Sequence, residues 1–341
     1  GTFNNIFGVG ALFSEATGDE NCAFGTNALH DQNGANANSA FGSFAATNIS
    51  TGSSTCAFGA GVLLTETTGS FNSAFGYQAL NLQNGVSGSS AFGAFAGSSI
   101  SSGINNSAFG FNALKLATTG SRNNAFGSSS LQAQTTSINN CAFGSSSGAA
   151  LTTGNNNSIF GNSALTAEVS GISNCAFGHL ALTNQNGVSG TSAFGAFAGQ
   201  NITNGVFNSM FGWGTLGAEV GGDHNCAFGH SSLSLQNGAN SNSAFGSMSA
   251  ENLTTGSNNN VFGYNGLHIE TTGESNSCFG NSSLSNQVGA SSNCAFGSLA
   301  GFSLTVGSFN NIFGHSALET ETTGAYNCAY GFNTLQEQVG V

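Results

Sequence analysis

Residues that could do chemistry are scarce in this chain. Its 341 residues include eight Cys, six His, fourteen Asp and Glu, and two cations, Lys115 and Arg122. Cys22, Cys56, Cys141, Cys175, Cys226, Cys294 and Cys328 each precede Ala-Phe or Ala-Tyr, and Cys278 stands directly before Phe279. No Cys-x-x-Cys spacing occurs, so zinc ligation is not indicated. These cysteines alternate with Ser in one sequence context, which fits a small buried residue. His30, His179, His224, His230, His268 and His315 fall in three different contexts and read as surface polar residues. Glu15, Glu66, Glu168, Glu219, Glu270 and Glu321 recur at a 51-residue spacing or twice that. If the chain made a 51-residue turn, these carboxylates would stack and could hold a cation. Otherwise they are expected to be solvated beside a turn. No carboxylate pair or nucleophile constellation is unique to one place, so an enzyme is not expected, and no catalytic, cofactor or metal residue is assigned.

The elements that carry these residues are copies of one unit. Phe-Gly recurs at Phe7, Phe24, Phe41, Phe58, Phe75, Phe92, Phe109, Phe126, Phe143 and Phe160. It continues at Phe177, Phe194, Phe211, Phe228, Phe245, Phe262, Phe279, Phe296 and Phe313, and closes with Tyr330-Gly331. Every interval is the same 17-residue step, without insertion or deletion. A fixed period of this kind predicts a repeat architecture in which each unit touches its neighbours, here one array over 1–341. Neither end looks like a polar cap, so the array is expected to be part of a longer fibrous protein or to stack on other copies.

Within the unit, numbered 1–17 from Gly1, position 4 is Asn in all but Thr55, Ser89 and Thr191. Position 6 is apolar, position 7 is the Phe, position 8 is always Gly, and position 12 is mostly Leu. Positions 16, 17 and the next position 1 read Thr-Thr-Gly or Asn-Gly-Ala/Val, which is turn chemistry. Positions 3–7 are predicted to form a strand. Because 6 and 7 are both apolar, both of its faces are expected to be covered, one by the coil interior and one by a second layer. A second strand is predicted over positions 9–13, with Leu12 and its copies inward. Helices are excluded by the recurring Gly. The fold class is therefore all-β, a parallel β-solenoid with ladders of Phe, Asn and Leu.

A slower rhythm is superposed. Position 15 cycles through Glu, then Gln (Gln32, Gln83, Gln134, Gln185, Gln236, Gln287, Gln338), then Ile or Leu (Ile49, Ile100, Leu151, Ile202, Leu253, Leu304). In the third unit Leu is missing from position 12, replaced by Gly or Ala as at Gly97, which suggests a repacked core. A 17-residue coil modulated every third layer and a 51-residue turn with three similar sides both satisfy this pattern.

The stretch Asn72-Ser73-Ala74-Phe75-Gly76-Tyr77-Gln78-Ala79-Leu80 resembles the head repeats of trimeric autotransporter adhesins of the YadA type. It is also similar to the Asn-Thr-Ala-x-Gly-x-x-Ala-Leu repeats of phage and bacterial tail-fibre-like proteins. The likeness covers the whole chain, although the adhesin unit is shorter and lacks the fixed Phe. It implies a left-handed β-roll, usually trimeric, exposed on a cell or virion surface and used in adhesion.

Functional expectations follow from the repeat. The foremost is a structural protein forming a stiff extracellular fibre or adhesin shaft, with itself as partner, end to end or laterally, the resemblance implying a trimer. An ice-binding solenoid using its Thr-rich turns is an alternative, as is an adhesin that binds a surface glycan or host receptor. The net charge of −12 with two cations excludes a nucleic-acid partner. No apolar run approaches the roughly 18 residues of a membrane-spanning helix, so membrane insertion is not expected. Glycosylation sequons occur at Asn48, Asn201 and Asn252, and also at Asn105, Asn156 and Asn281.

Overall fold

The computed structural model describes residues 1–337 and divides into two compact units, Gly1–Ser173 and Asn174–Val341. Gln338 therefore lies outside the described residues. Both units are parallel β-solenoids, and no helix occurs among the described residues. The strands of the first unit run from Asn5–Phe7 and Cys22–Phe24 to Ser158–Phe160; those of the second run from Cys175–Phe177 to Cys328–Tyr330. Within each unit every strand pairs in parallel with its counterpart in the next repeat, as Cys22 with Ser39 and Phe24 with Phe41. One coil is therefore one 17-residue repeat, and the 51-residue rhythm modulates successive coils.

The strand covers positions 5–7 only, shorter than the predicted 3–7, and the predicted second strand over 9–13 is a series of turns. The reason is backbone handedness. Positions 3, 10 and 12 adopt positive φ in coil after coil, for instance Phe71 (61°), Gln78 (53°) and Leu80 (48°). Left-handed residues cannot continue a strand and cost about 1–2 kcal/mol each for a side chain with Cβ. The flips stay compatible with the stack because their N–H groups still reach neighbouring coils: Gln78 donates down to the Ala60 carbonyl (3.0 Å) and Leu80 donates up to the Ala96 carbonyl (3.0 Å). Neither N–H group is stranded by the reversal.

Position 8 needs glycine on two counts. Gly25 has φ 134°, and a Cβ there would lie 2.5 Å from the Gly42 carbonyl oxygen. In the coils away from the ends of the array the interior holds position 6 (Ala23, Ala40), position 12 (Leu29, Leu63), the Asn column and position 15, fully or nearly fully buried. Where position 12 is Gly97, a Cβ would meet Ile100 Cδ1 and Leu80 Cδ2, both at 2.9 Å. The aliphatic residue at position 15 thus fills the space that Leu leaves, as the repacking expectation holds.

The Phe column is not in the core. With Ala at position 6 inward, strand alternation sends positions 5 and 7 outward. Phe24 and Phe41 are half-buried, while Phe92 and Phe143 are 36% exposed. The expected second layer over this face is not supplied by the described residues of either unit. From Phe24 to Phe160 successive rings stack 4.5–4.8 Å apart within 11° of parallel. From Phe177 to Phe313 they stack 4.4–5.1 Å apart within 12°.

Candidate functional site

The Glu residues of position 15, expected to be solvated, are buried in the inner coils; Glu66, Glu168, Glu219, Glu270 and Glu321 have no exposed surface. Glu66 shows why a carboxylate is tolerated there. Its Oε1 accepts the N–H groups of Thr67 (2.9 Å), Thr68 (3.1 Å) and Gly69 (2.7 Å) in its own turn, and that of Gly85 (2.7 Å) in the next coil. Its Oε2 accepts Gln83 Nε2 at 3.2 Å. Glu219 and Glu270 repeat this arrangement with Gly238 and Gln236, and with Gly289 and Gln287. The carboxylate fills an anion cradle of backbone amides, so the column is a structural acceptor and does not stack carboxylate on carboxylate. At the partly exposed Glu15, burial pulls the carboxyl upward, but bonds from Gly18, Gln32, Gly34 and Thr17 outweigh it and hold the group below its ordinary value.

The Asn ladder is as expected. Asn21 Oδ1 accepts the Asn38 N–H (3.0 Å), and Asn21 Nδ2 donates to the Ala35 carbonyl (3.0 Å). It also connects to the Glu–Gln pair: Asn38, Asn242 and Asn293 each donate Nδ2 to the Oε1 of Gln32, Gln236 and Gln287 at 2.9 Å. The sequon residues Asn48, Asn201 and Asn252 donate the nitrogen that would carry a glycan to the carbonyls of Leu64, Gly217 and His268. Asn105, Asn156 and Asn281 are exposed.

The cysteines are unpaired thiols. Those at position 5 sit on the same outward face as the Phe ladder, half-buried except the exposed Cys328; burial pushes the Cys278 thiol up to about 12, and burial also raises Cys141, Cys226 and Cys294. No group of three or more His, Cys, Asp and Glu could hold a metal ion among the described residues. His30 contacts its neighbour Asp31 at 2.6 Å, and His268 lies 3.4 Å from Glu251. The Thr hydroxyls at position 16 serve the backbone: Thr118, Thr135 and Thr254 donate to the Thr135, Thr152 and Thr271 carbonyls of the next coil.

Two open clefts interrupt the regular surface. Each forms where position 10 is Gly directly after a coil with Phe at position 10. The first has a volume of about 410 Å³ and is lined by Phe44, Gly61, Leu64, Tyr77, Gln78 and Asn81, among others. The second, also about 410 Å³, lies around Phe197, Trp213 and Gly214. These residues were not singled out by sequence. The available signal was the Gly at position 10 beside aromatic residues at positions 9 and 10, but it is no stronger than many Gly substitutions in a Gly-rich chain. Compared with models of known protein families and with curated proteins, the chain matches none. No helix of the described residues is long and apolar enough to cross a membrane.

Proposed function

We propose that this chain is a structural repeat protein, a segment of an extracellular or surface-exposed fibre that associates side by side with a second copy of itself. The outward Phe ladder carries this reading. A run of partly exposed rings at one spacing is an apolar strip without charges, and contiguous patches of that kind mark association surfaces. Only a surface of matching period can seat against every ring, and another copy has that period by construction. The area is of the order an interface needs. A ring presenting 150–250 Å² and at most about one-third exposed offers up to about 60 Å², so ten coils supply up to about 600 Å². Flanking position-5 residues bring this near the ~800 Å² per partner of a stable interface. No enzymatic role is part of this reading, because the buried carboxylates are engaged by backbone amides.

Replacing Phe92, Phe109, Phe126 and Phe143 together by Thr keeps strand propensity and removes the strip's centre. Sedimentation velocity is expected to show a concentration-dependent assembly for the parent chain and a monomer for the variant, with unchanged far-UV circular dichroism. A parent chain that stays monomeric at high concentration overturns the proposal.

A further inference from the structure

We propose that the cleft at Trp213 binds a neutral saccharide. This goes beyond the structural role and does not rest on it. The cleft lies wholly within the second unit and spans three consecutive coils. Phe197 and Trp213 form one wall, edge to face at 5.8 Å and 71°, and Trp213 stacks on His230 at 5.0 Å and 9°. Trp213 is 52% exposed although it is the sole Trp of the chain. The floor is opened by Gly214 and Gly217; at Gly214 a Cβ would meet nothing within 4 Å. Gln200, Asn201, Ser231 and Ser234 line the rest.

This inventory selects a ligand class. An anion would need cations, and the only two, Lys115 and Arg122, lie in the first unit. A metal ion would need carboxylates, and none lines the cleft; an organic cation would need a cage of several aromatic faces, and only Phe197 and Trp213 line this one. A peptide strand would need an open sheet edge, but around the cleft Gly214, Ser231 and Leu235 already donate to the Ala196, Trp213 and Glu251 carbonyls. A lipid chain would need enclosure, whereas this cleft is open. An aromatic wall ringed by neutral amides and hydroxyls suits a polyhydroxylated ring, whose C–H groups pack against the exposed part of the indole and whose hydroxyls exchange bonds with amide and hydroxyl groups. The side chain of Gln200 and the hydroxyl of Ser231 make no hydrogen bond among the described residues, so both are free for ligand hydroxyls. Asn201 is held in place by its bond to the Gly217 carbonyl (2.7 Å).

The lone Trp makes its own reporter. Maltotriose, cellotriose, triacetylchitotriose and N-acetyllactosamine are titrated against the full chain while Trp213 fluorescence is followed. At least one is expected to give a saturable change with half-saturation in the millimolar range or tighter. The response should vanish in Gly217→Phe, which fills the floor but keeps the reporter; Phe302 already occupies the equivalent position of another coil. Gln200→Ala should weaken binding several-fold, and circular dichroism of both variants should match the parent. No saturable response to any of the four sugars, or a response unchanged in a folded Gly217→Phe variant, overturns the proposal.

Discussion

At the scale of the residue, the interior tolerates polar groups only where each finds its partner, and Ser89 marks a place where one does not. In several Gln coils the next Asn reaches back to the Gln amide oxygen, as Asn38 does to Gln32. After Gln83 the Asn is replaced by Ser89, which is too short, and both Gln83 Oε1 and Ser89 Oγ are buried without a partner among the described residues. Leaving such groups unpaired costs about 1–3 kcal/mol, while a hydrogen bond contributes about 1 kcal/mol net. Ser89→Asn should therefore stabilise the protein by about 1 kcal/mol or more, read as a higher midpoint in guanidinium unfolding. An unchanged or lower midpoint would show that the site accommodates Ser89 by other means.

At the scale of the element, the turn after position 15 comes in coupled versions. Where Glu stands at position 15, the following coil carries Gly at position 17. In Glu66 with Gly85 and Glu219 with Gly238, that Gly donates its N–H to the carboxylate. The exception is doubly exceptional: Ala117 replaces Glu, and the next coil has Thr136 in place of Gly. There the turn amides of Thr118, Thr119 and Gly120 turn instead to the Thr135 carbonyl at 2.9–3.3 Å. Either the carboxylate or the neighbouring carbonyl serves as acceptor, and the φ available at position 17 selects which. Glu66→Ala should cost about 3–5 kcal/mol, since it strands several buried donors. Ala117→Glu alone should also destabilise, and adding Thr136→Gly should recover much of that loss. A double-mutant cycle measures this coupling; additive effects at the two positions would refute the link.

Much of the coil was legible in the sequence, because the 17-residue period, the Gly of position 8 and the Asn column each have one physical reading. The left-handed residues were not, since Phe71, Gln78 and Leu80 carry none of the Gly signal that usually announces positive φ. The second strand was therefore expected in error. The outward Phe was partly legible: Ala at position 6 declares the strand's inner face, and a 17-residue coil has little room inside for a further ring at every level. The buried Glu was hidden, because only the closed turn reveals that a nest of amides awaits the carboxylate. The Trp213 cleft depends on which side chains three coils place beside one another, which a column-by-column reading does not show.

At the scale of the whole molecule, nearest-neighbour stacking makes stability a sum over coil interfaces, and the order of coil types decides whether each interface is satisfied. A Glu coil needs a Gln coil above it, whose Gln and Gly fill the carboxylate, and the aliphatic coil then closes the polar pair. Deleting 52–102 removes one full Glu–Gln–aliphatic set and seats the Ile49 coil where the Ile100 coil had been, next to the Ala117 coil. Deleting 69–85 removes a third as many residues but places Glu66 against the Ile100 coil, without Gln83 or Gly85. If stability followed coil number alone, the longer deletion would be the more damaging. Interface chemistry predicts the reverse: the 51-residue deletion should keep a denaturation midpoint close to that of the parent, and the 17-residue deletion should lower it, because a buried carboxylate that loses its partners costs about 3–5 kcal/mol. Guanidinium unfolding of the two deletions side by side decides between them, and a lower midpoint for the longer deletion would remove the three-coil set as the unit of stability.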